Sequence, residues 1–236
     1  MSEVAGRMSI QVGAHYLEKE PGGTGVLLSG VPGLLAGRVC VGGAAGGAAA
    51  RLAMGIEAIV TVLDRSLPRL DELDCRYRAQ LNTVYSTVDA VERHVADADL
   101  VIGSVLVSGA AAPKVVAEEM IKSMRPGSVV VDTAIDQGGC FETSRPTSHD
   151  DPFYTKHAVV HYCVTNMPGA VAQTSTFALN NATMPYTLKL AGLGWKKAFL
   201  SDPGFLEGLN VHERKATYEA IAEAVGMDYT PREEVL

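Results

Sequence analysis

Residues 38–64, RVCVGGAAGGAAARLAMGIEAIVTVLD, place a short apolar strand, a glycine-rich turn, a helix-forming run and a second strand in succession. The strand Val39-Cys40-Val41 runs into Gly42-Gly43-Ala44-Ala45-Gly46-Gly47, the helical stretch covers 48–54, and Ile59-Val60-Thr61-Val62-Leu63 ends on Asp64. Small residues at such a turn let the backbone approach a pyrophosphate held at a helix N-terminus. An acid at the second strand end is placed to accept hydrogen bonds from an adenosine ribose. Asp64 follows Gly42 by 22 residues, close to the roughly 20 such an acid needs. The glycines fit less well: counting G-x-G-x-x-G from Gly42 puts Ala44 on the second glycine, and counting from Val41 loses the first. The competing reading is a turn that only packs a helix on a sheet.

Composition bounds what surrounds this segment. The chain has 236 residues, 47% of them hydrophobic, enough for one large domain or a domain with an appendage. Twenty Lys and Arg against 27 Asp and Glu leave a net charge of −7, with no basic run that could follow a nucleic-acid backbone. The longest apolar tract, around 33–54, is broken by Arg38 and Arg51, so no membrane span is expected. Cys40, Cys75, Cys140 and Cys163 lie far apart without a C-x-x-C pair, which reads as free thiols in a reducing cytoplasm.

Along the chain, strand-like runs alternate with helix-like ones, the pattern of a parallel sheet covered on both faces. Residues 1–17 read as a helix, with Val4, Met8, Val12 and Tyr16 on one stripe. Further strands are expected at 81–85, 100–103, 128–132 and 159–163, with helices at 67–75, 87–96 and 114–124. Ser86 and Asp89 form an S-x-x-D start for the helix at 87–96. Beyond residue 170 the pattern changes to a long helical tract, 174–193, interrupted at Pro185, then a polar loop at 201–204 and a final helix over 211–225.

The other dense segment is Val129-Val130-Val131-Asp132-Thr133-Ala134-Ile135-Asp136-Gln137-Gly138-Gly139, a buried strand opening into a polar, flexible loop. Ligands of open α/β sheets bind beyond the carboxyl ends of the strands, so Asp136 stands where a reacting group would lie. Partial burial there would suit it to proton transfer. Asp132, nearer the strand, could equally cap neighbouring backbone. Asn166-Met167-Pro168-Gly169 follows the last strand in the same way, although both segments also suit ordinary turns.

These residues carry a resemblance. Met1-Ser2-Glu3-Val4-Ala5-Gly6-Arg7, Gly30-Val31-Pro32-Gly33, Asp99-Leu100-Val101-Ile102-Gly103, Ala134-Ile135-Asp136-Gln137-Gly138-Gly139-Cys140-Phe141-Glu142, Ser144-Arg145-Pro146-Thr147 and Asn166-Met167-Pro168 resemble NAD-dependent alanine dehydrogenase, from Met1 to about Trp195. The fold it implies, with the alternation above, is α/β: a doubly wound, Rossmann-like parallel sheet over 1–172 that binds NAD. The C-terminal helices of 173–236 would come from an incomplete second domain. The resemblance implies oxidative deamination of L-alanine to pyruvate and ammonia. It further implies a cofactor site lined by Ser2, Asp64, Arg69, Ser86, Val105, Leu106, Thr133, Asp136, Arg145, Val164, Asn166 and Met167, beside Gly42, Gly43 and Gly46 of the turn. Asp136 would also be the catalytic carboxylate near the nicotinamide.

Members of that family carry a substrate-binding segment ahead of the M-S-E-V-A-G-R motif, with the catalytic His and the Arg and Lys that hold the substrate carboxylate. Here Met1 is the methionine of the motif, so the expectation is a split or truncated enzyme, complemented by an N-terminal half and forming a homo-oligomer. A non-catalytic NAD-binding or assembly subunit, similar to the nucleotide-binding part of transhydrogenase, is the alternative. His149 and His161 are expected to be a solvated loop residue and a half-buried strand residue. No metal site is expected, since Lys189 and Leu193 stand where some members place metal ligands. Asp64 favours NAD over NADP because a carboxylate repels a 2′-phosphate, a preference softened by Arg65.

Overall fold

The computed structural model describes residues 1–43, 46–105 and 112–236, which fall into two compact units, 1–172 and 173–236. A leading helix α1 (Ser2–Tyr16) is followed by β1 (Arg38–Gly42), α2 (Gly47–Gly55) and β2 (Ile59–Asp64). Next come α3 (Leu67–Tyr77), β3 (Asn82–Tyr85), α4 (Val88–Asp97) and β4 (Leu100–Gly103). The first unit closes with α5 (Glu118–Ser123), β5 (Val129–Asp132), β6 (Phe153–Lys156) and β7 (Val159–Tyr162). The described strands of this unit form one seven-stranded sheet in the order β3-β2-β1-β4-β5-β7-β6, parallel except for the edge strand β6. The order reverses between β1 and β4, the switch point at which ligands of open α/β sheets bind.

Strand alternation supplies two cores. Val39, Val41, Val60, Val62, Leu100, Ile102, Val129 and Val131 face one side, under Ala49, Ala50 and Ala53 of α2, Leu70 and Leu73 of α3 and Ile10 of α1. Cys40, Leu63, Val101 and Val130 face the other, under Ala90, Val91 and Val95 of α4 and Ile121 of α5. Each buried valine or leucine contributes roughly 1.5–3 kcal/mol, so this sandwich fixes the strand ends. Helices α1 and α2 meet through small residues, a β-carbon on Gly6 lying 3.1 Å from that of Ala48.

Several elements differ from the sequence expectation. The helix at 114–124 is confined to Glu118–Ser123, because Lys114 turns its ammonium onto the carbonyls of Gly138 and Phe141. Helix α4 is capped by Thr87, whose hydroxyl accepts from the Ala90 N–H at 3.1 Å, and not by Ser86. Strand β6 was not anticipated. His161 is wholly buried rather than half-buried, and His149 is exposed. Cys40, Cys140 and Cys163 are buried free thiols, and Cys75 is exposed.

The second unit comprises α6 (Ala172–Leu193), which begins at the boundary, α7 (Trp195–Leu200), α8 (Pro203–Leu206), the hairpin β8 (Val211–His212) and β9 (Lys215–Ala216), and α9 (Glu219–Val225). Helix α6 runs through Pro185 without interruption. The expected helix over 211–225 is replaced in its first half by the β8–β9 hairpin, so only Glu219–Val225 is helical. Lys189 pairs with Asp202 at 3.6 Å. Among the described residues no helix is long and apolar enough to cross a membrane, and no cluster of His, Cys, Asp and Glu could hold a metal.

Candidate functional site

The carboxyl ends of β1 and β4 lie side by side, and glycines lead from β1 into α2. Gly43 has φ +92° and donates its N–H to the Leu63 carbonyl at 2.9 Å, while Gly46 caps α2 and donates to the Gly43 carbonyl at 2.9 Å. Ser104, just beyond β4, donates its hydroxyl to the Gly42 carbonyl at 2.8 Å. A β-carbon on Gly46 would stand 2.3 Å from Val41 Cγ1 and 2.5 Å from Ser104 Oγ; one on Gly43 would stand 2.9 Å from Val105 Cγ2. Gly42 has more room, with the nearest atom 3.7 Å away. Steric demand therefore falls on Gly43 and Gly46, the second and third positions when the fingerprint is counted from Val41. Ala44 lies outside the described residues.

Around this turn the other strand ends present their own residues. Asp64 terminates β2, its Oδ1 accepting from the Ser66 N–H at 2.7 Å and its carbonyl from the Ser86 N–H at 2.9 Å, which brings Ser86 beside it. Arg69 lies in the first turn of α3, its guanidinium paired with Glu72 and 3.3 Å from where a β-carbon on Gly47 would sit, so it reaches the start of α2. Ser2 is exposed in the first turn of α1. Val105 is half-buried against Gly43, and its carbonyl accepts from the Cys140 thiol at 3.6 Å. Leu106 lies outside the described residues.

Beyond β5, Thr133 donates both its N–H and its hydroxyl to the Gly103 carbonyl at 2.9 Å, tying this end to β4. Asp132 is fully buried: it accepts from Ala134 N at 3.1 Å, Cys140 N at 2.8 Å and Ser144 Oγ at 2.6 Å. Desolvation pushes its carboxyl above the usual carboxylate range despite these bonds. It is the hub of the 133–144 loop rather than a reacting group. Gly139, at φ +79°, is required there, because a β-carbon would meet Asp132 Oδ2 at 2.5 Å. Burial likewise holds the Cys140 thiol up, at about 12. Asp136 sits in the one-turn 3₁₀ helix Ile135–Gln137 carried by this hub and is exposed, so the partial burial that would suit it to proton transfer is not present in the chain as described.

Beside β7, Asn166 adopts a left-handed conformation, φ 52° and ψ 47°, and its carbonyl contacts His149 Nε2 at 3.2 Å. Val164 and Met167 are buried in the core. Arg145 is exposed, with its guanidinium carbon 4.1 Å above the centre of the Tyr154 ring. The strand ends thus bring Gly42, Gly43, Gly46, Asp64, Ser86, Val105, Thr133, Asp136, Arg145 and Asn166 to the carboxyl edge of one sheet. Sequence reasoning missed Ser104, Lys114, Ser144 and Tyr154. Ser104 alone carried a signal, as a small polar residue directly after a buried strand.

An open, mostly parallel sheet with helices on both faces, a glycine turn after β1 and an acid ending β2 makes this an α/β protein of the Rossmann-like class. The sequence matches the family described as "Alanine dehydrogenase/PNT, C-terminal domain" over residues 9–219. The chain belongs to that family. It is 59% identical to an alanine dehydrogenase of Halomonas elongata, over 97% of this chain and 62% of that protein, and 53% identical to one of Methanococcus maripaludis, over 100% and 64%. A solved L-alanine dehydrogenase superposes with a TM-score of 0.89 at 46% identity, covering 96% of this chain and 63% of that one. The chain therefore spans 62–64% of the length of these curated relatives.

Proposed function

We propose that this chain binds NAD at the carboxyl edge of its sheet and supplies the cofactor portion of an alanine dehydrogenase, which converts L-alanine to pyruvate and ammonia. The observation that carries the reading is the glycine turn, where Gly43 and Gly46 pack so closely on Val41, Ser104 and Val105 that a β-carbon has no room, set beside Asp64 in a chain of this family. In this reading the turn and the start of α2 take the pyrophosphate, and Asp64, with Ser86 beside it, takes the adenosine ribose. Arg69 reaches the same helix start. Thr133, Val105, Arg145 and Asn166 line the remainder with Ser2, while Val164 and Met167 contribute through their backbone.

Held by these residues, NAD would supply the acceptor for a hydride from the substrate carbon. Asp136, exposed on a loop that Asp132 and Lys114 hold in place, is the carboxylate on the nicotinamide side and moves a proton there. The His and the cations that hold the substrate carboxylate belong, in this proposal, to the remaining part of the enzyme. Free buried thiols support a reducing cytoplasm. Exposed apolar side chains on α6, among them Phe177, Tyr186 and Leu188, support assembly into a homo-oligomer.

Titration with NADH tests the proposal. Saturable binding is expected, weakened about tenfold or more in Asp64→Ala, the loss of a charge-assisted hydrogen bond. No binding by the folded chain, or equal affinity in Asp64→Ala, refutes it. Alanine-dependent NADH formation, when the chain is combined with an N-terminal substrate-binding portion, tests the catalytic half.

A further inference from the structure

Arg145 is held more firmly than an exposed arginine needs to be, and one side chain does the holding. The Tyr154 hydroxyl accepts from the Arg145 N–H at 2.9 Å and donates to the Thr143 carbonyl at 2.8 Å, so a single oxygen bridges the backbone on both sides of Ser144. The Arg145 guanidinium lies over the ring of the same tyrosine at 4.1 Å. Tyr154 is itself fixed from behind. His161, its cross-strand partner between β6 and β7, stacks on it with centroids 4.9 Å apart and planes 19° from parallel. That imidazole is in turn anchored to Thr143 Oγ1 at 2.7 Å and to the Val159 carbonyl at 2.9 Å.

An arginine side chain in water spreads over many rotamers, and ordering it on a ligand costs affinity. A ring beneath the guanidinium and a hydrogen bond on its own N–H remove part of that cost before the ligand arrives. We propose that Tyr154 is a positioning residue for cofactor binding, preorganising Arg145 for an anionic group of the bound dinucleotide. This rests on the reading of Arg145 as part of the NAD site. The oxygen contributes by fixing the backbone and the ring by fixing the cation, and Tyr154 need not touch the cofactor itself.

A double-mutant cycle read by NADH titration, with thermal melting to track folding, tests the assignment. Tyr154→Phe keeps the ring and loses the bridge, and is expected to weaken NADH about three- to tenfold; Tyr154→Leu, which also removes the ring, weakens it further. In an Arg145→Ala background both substitutions are expected to have no further effect on affinity, whereas a merely structural role would lower it equally in both backgrounds. Equal factors in the two backgrounds, or wild-type affinity in Tyr154→Leu, overturn the role of Tyr154 while the NAD reading stands. Unchanged affinity in Arg145→Ala, or no binding by the wild type, overturns the reading of Arg145 and the positioning role with it.

Discussion

His161 gives the fold a pH dependence that can be isolated. It is wholly buried on β7, and desolvation drops its pKa from 6.5 to about 4, against the opposing hydrogen bond to the Val159 carbonyl. Between those two values the unfolded chain carries the proton and the folded chain does not. Unfolding therefore takes up a proton, and stability falls as pH falls from 6.5 towards 4. Linkage puts the loss between pH 7 and pH 5 at about 2 kcal/mol, and the full effect below both values at about 3 kcal/mol. Urea unfolding of the wild type and His161→Gln at pH 7 and pH 5 measures it, with the wild type losing about 2 kcal/mol more than the variant. Asp132 acts in the opposite sense: its raised pKa stabilises the fold towards acid, and that contribution is lost as pH rises through the folded value. Because Asp132 is present in both proteins, it cancels in the difference. An identical change with pH in the two proteins would refute a buried, neutral His161.

Two further substitutions probe the frame of the candidate site. Asp132→Ala leaves two backbone N–H groups and the Ser144 hydroxyl without their acceptor, and is expected to cost about 3 kcal/mol or more in urea unfolding; a loss under 1 kcal/mol would deny it the role of hub. Gly46→Ala forces a methyl group to within 2.3 Å of Val41 Cγ1, for an expected loss of about 1–3 kcal/mol together with weakened NADH binding. A variant with unaltered melting temperature and affinity would show that the turn has room to spare.

Much of this arrangement was legible because it depends on local pattern. The segment 38–64 folds as β1–α2–β2 since two apolar runs too short for helices flank a glycine turn and an alanine-rich stretch. Since sheet order places strand carboxyl ends together, Asp64, Asp136 and Asn166 could be assigned to one edge from sequence alone. What each side chain does there was legible only in part. Asp132 and Asp136 stand four residues apart, and its place nearer the strand left Asp132 open to capping backbone; it does so, fully buried, while Asp136 is exposed. The donors to Asp132 come from Ala134, Cys140 and Ser144, on a loop that doubles back, and no spacing rule marks that return. Lys114, which braces the loop from 24 residues before Gly138, is equally silent.

The two missed hairpins share a physical cause. Two-residue hairpin turns favour positive φ at both central positions, which is why Asn-Gly or Gly-Gly normally announces them. Here β6 and β7 are joined through His157 and Ala158, at φ 54° and 59°, and β8 and β9 through Glu213 and Arg214, at φ 46° and 67°. None of these residues prefers that region, so no turn signal marks either hairpin and 211–225 read as a continuous helix. The strain must be offset by what the turns hold in place. For the first, that includes the Tyr154–His161 pair beneath Arg145, together with the bonds of Glu118 to His157 and Lys156. The same hairpin also completes the core, with Val160 and Tyr162 of β7 in one cluster, Phe153 of β6 packed against it and Val159 in the other, so the strain of its exposed turn is offset by packing as well as by these polar contacts.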